Sequence, residues 1–140
     1  MKTLVLVGGA IFHNGKLLVI QRSDSRRIFA SHWEIPGGKV ESLEDPNNAI
    51  IREVKEETNL DARIILPYNV WNDIMEFEGE KENNIDIDFL LKVEDISKLK
   101  IEEGKHINCK WISIDELPTP MTPQMKATII KAFHSKDQKG

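Results

Sequence analysis

Three glutamates, Glu53, Glu56 and Glu57, stand three and four residues apart in the segment Ile51-Arg52-Glu53-Val54-Lys55-Glu56-Glu57-Thr58. On a helix such residues are neighbours, so Glu53 lies beside both of the others, and like charges at this spacing cost about 0.2–0.5 kcal/mol per pair. A helix with a purely structural role would alternate its signs. Lys55 instead falls round the back of the arc, and Arg52 reaches one edge of it through its i,i+4 relation to Glu56. A solvated acidic face is the plain explanation, since charge runs on helices are common. The alternative is a bound cation, and a cluster of hard oxygen ligands with few protein anchors suits Mg²⁺, or Mn²⁺ in its place, better than zinc. A cation so held can neutralise phosphate oxygens and acidify a bound water, which is the chemistry of hydrolysing an anionic substrate.

The elements around the cluster must present it on a fixed scaffold. Asp45 is a good N-cap, Pro46 suits the first helical position, and Asn59 tolerates the left-handed conformation that ends helices, so a helix is expected between Asp45 and Asn59. At 100° per residue Ile50, Ile51, Val54 and Thr58 share one arc, and Glu53, Glu56 and Glu57 fall on another beside Ala49 and Arg52. Before the helix, Gly37-Gly38 lets the backbone pass close to a ligand, with its carbonyls as candidate metal ligands, and Glu41 and Glu44 add carboxylates.

Together Gly38, Glu44, Arg52, Glu53, Val54, Glu56, Glu57 and Leu60 stand where the Nudix box, G-x5-E-x7-R-E-U-x-E-E-x-G-U with U aliphatic, requires them, and the segment resembles the Nudix hydrolase family. Asn59 takes the place of a box glycine, and Asn is the commonest other residue able to adopt positive φ. The Trp33-Glu34-Ile35-Pro36 lead-in is also similar to the family. The resemblance implies an α/β fold, an α/β/α sandwich around a mixed β-sheet, in which the box forms loop, helix and loop. It implies Mg²⁺-dependent hydrolysis of a diphosphate linkage in a nucleoside triphosphate or other nucleoside diphosphate derivative. ADP-ribose, another sugar nucleotide or a dinucleoside polyphosphate is the runner-up. A non-catalytic nucleotide sensor of the same fold would be expected to lose box carboxylates, and this chain keeps Glu53, Glu56 and Glu57.

The expected metal set is Glu53, Glu56 and Glu57 with Gly37 and Gly38. Arg52 is expected to pair with a box carboxylate rather than with phosphate, and Glu44 to join the same network. The resemblance leaves the general base to come either from the box or from a later loop; outside the box Glu103 is preferred slightly over Glu102, both standing just before Gly104 and a strand leading to Trp111. Substrate contacts are assigned to Arg22 first, then to Arg27 beside Arg26 in the loop that follows, and to Glu34. His13 and His106 have no partner at ligand spacing and receive no chemistry. The family's base-reading Asn near the last helix has no counterpart in the segment from Leu117 to Gln124, which points away from oxidised guanine.

The remainder of the chain supports one domain. Its 140 residues are enough for one hydrophobic core, and 40% hydrophobic with 30% charged residues is ordinary for a globular protein. A net charge of −4 removes the general attraction that holds long nucleic acids, so a small-molecule partner is expected, with the chain a monomer or homodimer. Cys109 is the single cysteine, which fits a reducing, cytoplasmic setting. Lys2 and the apolar run from Leu4 to Phe12 resemble the start of a signal peptide, but a hairpin turning at Asn14-Gly15 explains that run together with Leu17 to Ile20. Further strands are expected near Trp33–Ile35, Ala62–Glu76, Ile85–Val93 and Ile107–Ile114. A last helix should start at Thr122 with Met125, Ile129 and Phe133 on its core face, before a polar tail from Ser135 to Gly140. The acidic segment Glu76 to Glu82 could shape a pocket mouth or a dimer contact.

Overall fold

The computed structural model describes residues 1–137. The chain runs β1 (Lys2–His13), β2 (Lys16–Arg22), β3 (Trp33–Glu34), β4 (Gly37–Lys39), α1 (Pro46–Thr58), β5 (Arg63–Phe77), β6 (Glu80–Lys92), β7 (His106–Ile112) and α2 (Pro123–Asp137). The path through the sheet is β3-β2-β1-β6-β5, with β7 added beside β2 and β4 beside β1. β1 and β6 run parallel and every other pairing is antiparallel, so the sheet is mixed. Among the described residues no helix is long and apolar enough to cross a membrane.

The two faces of the sheet carry separate cores, as expected of a sandwich whose strands alternate their side chains. Val7, Ile11, Leu18, Phe89 and Leu91 pack with Ala49, Ile50 and Val54 of α1. Ala10, Leu17, Val19, Leu90 and Ile112 pack with Ile129, Ala132 and Phe133 of α2. Leu17 to Ile20 are all buried because β2 is covered on both sides. The expected core face of α2 is present, with Met125 packed against its edge, and Thr122 caps it by accepting from the Met125 N–H at 3.1 Å. That helix continues to Asp137, so Ser135 to Asp137 belong to it rather than to a tail, and the remainder of the expected tail lies outside the described residues.

One local feature opens the molecule. β1 pairs with β2 only at Phe12↔Leu17 and His13↔Lys16, next to the turn, and then diverges to pair with β4 through Leu6, Val7 and Gly8. The sheet therefore splits into a wedge, and the box loop crosses at its mouth. The segment read as a Gly-Gly loop is thus a short strand. A Cβ on Gly37 would strike the Val7 carbonyl oxygen, and one on Gly38 would strike the Glu53 carboxylate, so close backbone packing is what these glycines permit.

β5 matches the expected span to within one residue, whereas β6 starts earlier than expected, and the two meet in a tight hairpin at Glu78-Gly79, both with positive φ (54° and 79°). The acidic segment Glu76 to Glu82 is this hairpin tip. Its counterpart at Asn14-Gly15 (φ 51° and 78°) was legible because Asn favours that conformation, whereas Glu does not.

Candidate active site

Helix α1 forms as its sequence dictates. Asp45 Oδ1 accepts from the Asn47 N–H at 2.7 Å, and Asn59 ends the helix in the left-handed region (φ 62°, ψ 14°). Asn59 also uses its side chain, which donates to the Lys98 carbonyl at 3.0 Å, so the substitution for glycine brings an extra tie. Because α1 lies against the β1–β4 part of the sheet, its three glutamates meet three different environments. Glu57 is buried beneath β4, where the Gly37 N–H donates to its Oε1 at 2.8 Å. Glu53 lies under Gly38 with its side chain 15% exposed. Glu56 is half exposed and does not line the cleft, so it stands at the outer rim, contrary to an equal share in one ligand face.

Arg52 organises the outer side of this cluster. It grips Glu44 with two parallel contacts, Nε to Oε2 at 2.8 Å and Nη2 to Oε1 at 2.9 Å. Its Nη1 donates to Glu53 at 2.9 Å and to Glu56 at 3.0 Å, Glu41 approaches Nε at 3.2 Å, and Nη2 also reaches the Lys39 carbonyl. The planar fork makes this possible and a lysine could not reproduce it. The Arg52 hydrogen bond holds Glu44 far below the usual carboxylate range, at about 2, and Arg52 itself is shifted upward chiefly by Glu44. Arg52 thus neutralises the rim and contacts Glu53, Glu44 and Glu56 together.

Inside the cleft the balance is the opposite. Burial pushes Glu57 up to about 8, against the Gly37 hydrogen bond and with Glu34, Glu53 and Glu102 adding repulsion. Burial also raises Glu53, opposed by Arg52. These acids are crowded and only partly neutralised, with Arg52 and Lys105 acting on Glu53, and such an arrangement fits a cation.

His106, which sequence spacing left without a role, completes the inner cluster. Its Nε2 bonds Glu34 Oε2 at 3.0 Å, and its Nδ1 lies 4.0 Å from Glu57 Oε2 with no hydrogen-bond partner. A neutral His106 whose Nε2 N–H donates to the Glu34 carboxylate would present the lone pair of Nδ1 toward Glu57. Glu102 joins from the next loop: its N–H donates to the Glu57 carbonyl at 3.0 Å, and its Oε1 is buried without a hydrogen-bond partner, the Lys105 ammonium coming no closer than 4.0 Å. Ligand atoms of Glu57, Glu102 and His106 lie within 4.8 Å of one another. Two orphaned buried atoms pointing at a buried carboxylate fit a divalent cation, with Glu34 fixing the ring of His106 from behind. Glu103, the preferred outside base, is exposed on the turn, so the inward residue is Glu102.

Arg22 and Glu34, on the paired strands β2 and β3, meet at 3.4 Å, and Arg22 Nε donates to the Ile28 carbonyl. Arg22 and Arg26 line the cleft. Arg27 does not: it is 71% exposed, pairs with Glu78 at 3.1 Å and stacks over Phe77 at 4.6 Å, tying its loop to the β5–β6 tip. The cleft, about 440 Å³, is walled by Gly37, Gly38, Glu53 and Glu57 on one side and by Trp71, Asp86 and Asp88 on the other. It continues into a more apolar cavity of about 220 Å³ walled by Phe29, Trp33, Trp71 and Met125; Leu6, Glu34, Trp71, Asp86 and Met125 border both. Residues 3–133 match the family model described as the NUDIX domain.

Among known proteins, the chain is 38% identical over 64 residues to a CTP pyrophosphohydrolase of Escherichia coli (strain K12), covering 46% of this chain and 47% of that one, about half its length. It is 26% identical over 139 residues to an RNA pyrophosphohydrolase of Erythrobacter litoralis (strain HTCC2594), covering 86% of this chain and 84% of that one. A crystal structure of a MutT NUDIX hydrolase from Burkholderia pseudomallei superposes with a TM-score of 0.81 at 27% identity, covering 94% of this chain and 98% of that one.

Proposed function

The chain belongs to the Nudix family and is a hydrolase of pyrophosphate bonds, and on that premise we propose that its substrate is a nucleoside triphosphate or a related nucleoside diphosphate derivative, hydrolysed with Mg²⁺. The observation that carries this reading is the continuity of an acid-lined cleft with an aromatic-walled cavity, which suits a ligand with phosphates at one end and a flat base at the other.

Glu53 and Glu57, with Glu102 and His106 inside, Glu56 at the rim and the Gly37–Gly38 backbone alongside, would hold the divalent cation. When bound, that cation supplies charge neutralisation for the phosphate oxygens and acidification of water. The chain's own residues do the remainder. Arg52 keeps Glu53 and Glu44 in fixed rotamers, so little reorganisation is needed during reaction. Arg22, Arg26 and Lys105 border the cleft and offset the repulsion between an acidic site and an anionic substrate. As the oxygen of water attacks phosphorus and the bridging P–O bond breaks, leaving two phosphate products, a carboxylate of this cluster takes the proton; Glu102, buried among the residues that would hold the cation, would serve as a ligand rather than as that base. The free Cys109 accords with a reducing, cytoplasmic setting.

The test is phosphate and pyrophosphate release across nucleoside triphosphates, oxidised nucleotides, ADP-ribose, dinucleoside polyphosphates and 5′-triphosphorylated RNA, with Mg²⁺, with Mn²⁺ and with chelator. Release from a nucleoside triphosphate that vanishes with chelator is expected. Release from ADP-ribose or dinucleoside polyphosphates alone would replace the substrate, and silence throughout would reject the enzyme reading in favour of a binding domain.

A further inference from the structure

Strand β6 carries Asn84-Ile85-Asp86-Ile87-Asp88, polar at every second residue. Alternation sends Asn84, Asp86 and Asp88 to one face, while Ile87 packs in the core beneath α1. The polar face thus turns toward α2, the side expected to be apolar. On β5 its neighbours are Asp73, Trp71 and Asn69, and on β1 they are Leu4, Leu6 and Gly8.

The three polar residues are not equivalent. Asp88 is satisfied, accepting from Asn69 Nδ2 at 3.0 Å and Trp71 Nε1 at 3.1 Å. Asn84 is 6% exposed, borders the aromatic-walled cavity, and its Oδ1 has no hydrogen-bond partner. A buried amide oxygen left unpaired is rare in a native fold and calls for a partner that arrives from outside. Beside it the carboxylates of Asp86 and Asp73 also border the cavity. The wall is therefore rich in acceptors; Phe29, Trp33, Trp71 and Met125 supply flat and apolar surface, and His32, Glu34, Thr122 and Gln124 also border the cavity. That combination fits a heterocycle stacked on aromatic rings with N–H donors directed at β6.

We infer that this cavity receives the base of a nucleotide bearing an exocyclic amino group beside a ring nitrogen, as in cytosine and adenine, and that Asn84 with Asp86 selects it over its keto counterpart. The amino N–H donates to Asn84 Oδ1, and the ring nitrogen accepts from the same amide. An amide alone could turn over to suit the N3–H and O4 of uracil. The carboxylates cannot, because a keto oxygen would face them lone pair to lone pair, and this sets the direction of the preference.

The inference rests on the cleft being a nucleotide site, so turnover and binding are read separately. kcat/KM is measured for CTP against UTP and for ATP against ITP at about pH 8.5, which keeps Asp86, raised by burial to about 7, ionised. Binding of CMP, UMP, AMP and IMP is followed by tryptophan fluorescence, since Trp33 and Trp71 border the cavity. Wild type should favour the amino member of at least one pair by about tenfold or more. Asp86→Asn, which removes the group that sets the direction, should bring the ratio toward one, Asn84→Leu should reduce it severalfold, and Asn84→Asp, which keeps an acceptor, should retain most of it. Equal kcat/KM within both pairs, or a preference untouched by Asn84→Leu and Asp86→Asn, would overturn the inference. If Asn84→Leu does not fold, Asp86→Asn and Asn84→Asp decide. If no nucleotide is hydrolysed, the substrate reading fails and the monophosphate pairs still decide: preferential binding of CMP or AMP supports the inference, and equal or absent binding ends it.

Discussion

The two ends of the cleft are built on opposite plans. At the acidic end, the outer carboxylates are locked by one guanidinium that contacts Glu44, Glu53 and Glu56, and the inner ones are left crowded around the unpaired atoms of Glu102 and His106. At the aromatic end there is no such hub: Phe29, Trp33, Trp71 and Met125 surround a void, and its polar wall waits on Asn84. The first end is organised to hold charge in place during a reaction, and the second to accept a flat body of suitable edge. Rate should therefore reside at the first and selectivity at the second.

The sharpest test of that division is Glu57→Gln, which keeps size and the Gly37 contact but removes a charge. It should lower kcat by about 10²-fold or more, the scale of losing one electrostatic stabiliser, with the circular dichroism spectrum unchanged. A fall confined to KM would erase the distinction between the ends. Arg52→Lys should follow, lowering kcat by about 10–100-fold, as outer partners of ligating groups do, because a point charge cannot serve Glu44, Glu53 and Glu56 together. Recovery of full activity with excess Mg²⁺ would show Arg52 acting only through metal affinity.

At the other end Phe29→Ala should raise KM about fivefold through a lost stacking face while kcat holds, since Phe29 is 48% exposed and supports no other core residue at the acidic end. An equal fall in kcat would mean that base placement controls the chemistry as well. The smallest effect concerns stability. Burial lifts Asp86 to about 7 from 3.8, so the folded state binds its proton more tightly than the unfolded chain. Its contribution is fully present below about pH 3.8 and is lost as pH rises through about 7. Asp86→Asn should therefore be more favourable, relative to wild type, at pH 8 than at pH 5, read by urea denaturation; a difference independent of pH would place the carboxyl in water.

The acidic end was largely legible because its residues are local. Asp45, Pro46 and Asn59 mark a helix by capping chemistry, helical spacing brings Arg52 to Glu56, and the box positions place Gly38, Glu44 and the glutamates within one loop and helix. Local spacing misled where orientation toward the sheet mattered. Glu56 and Glu57 are adjacent in sequence, yet one lies at the rim and the other under β4, because only the docking of α1 on β1 and β4 decides which side of the arc is covered. The same holds for Glu102 and Glu103, separated by which way a turn faces, and for Arg26 and Arg27.

By itself, then, the sequence determined the helix and its caps and the Asn14-Gly15 hairpin, each of which depends on contacts within a few residues or on a periodicity. The α/β/α sandwich and the chemistry of the box are what the resemblance carried by those residues implied. Only the tertiary structure decided that β1 leaves β2 to pair with β4 and opens the wedge, that His106 stands between Glu34 and Glu57, and that the polar side of β6 faces a cavity. Those arrangements join residues tens of positions apart, and the free energy that fixes them comes from which faces are buried together when the strands pair, which no local spacing records.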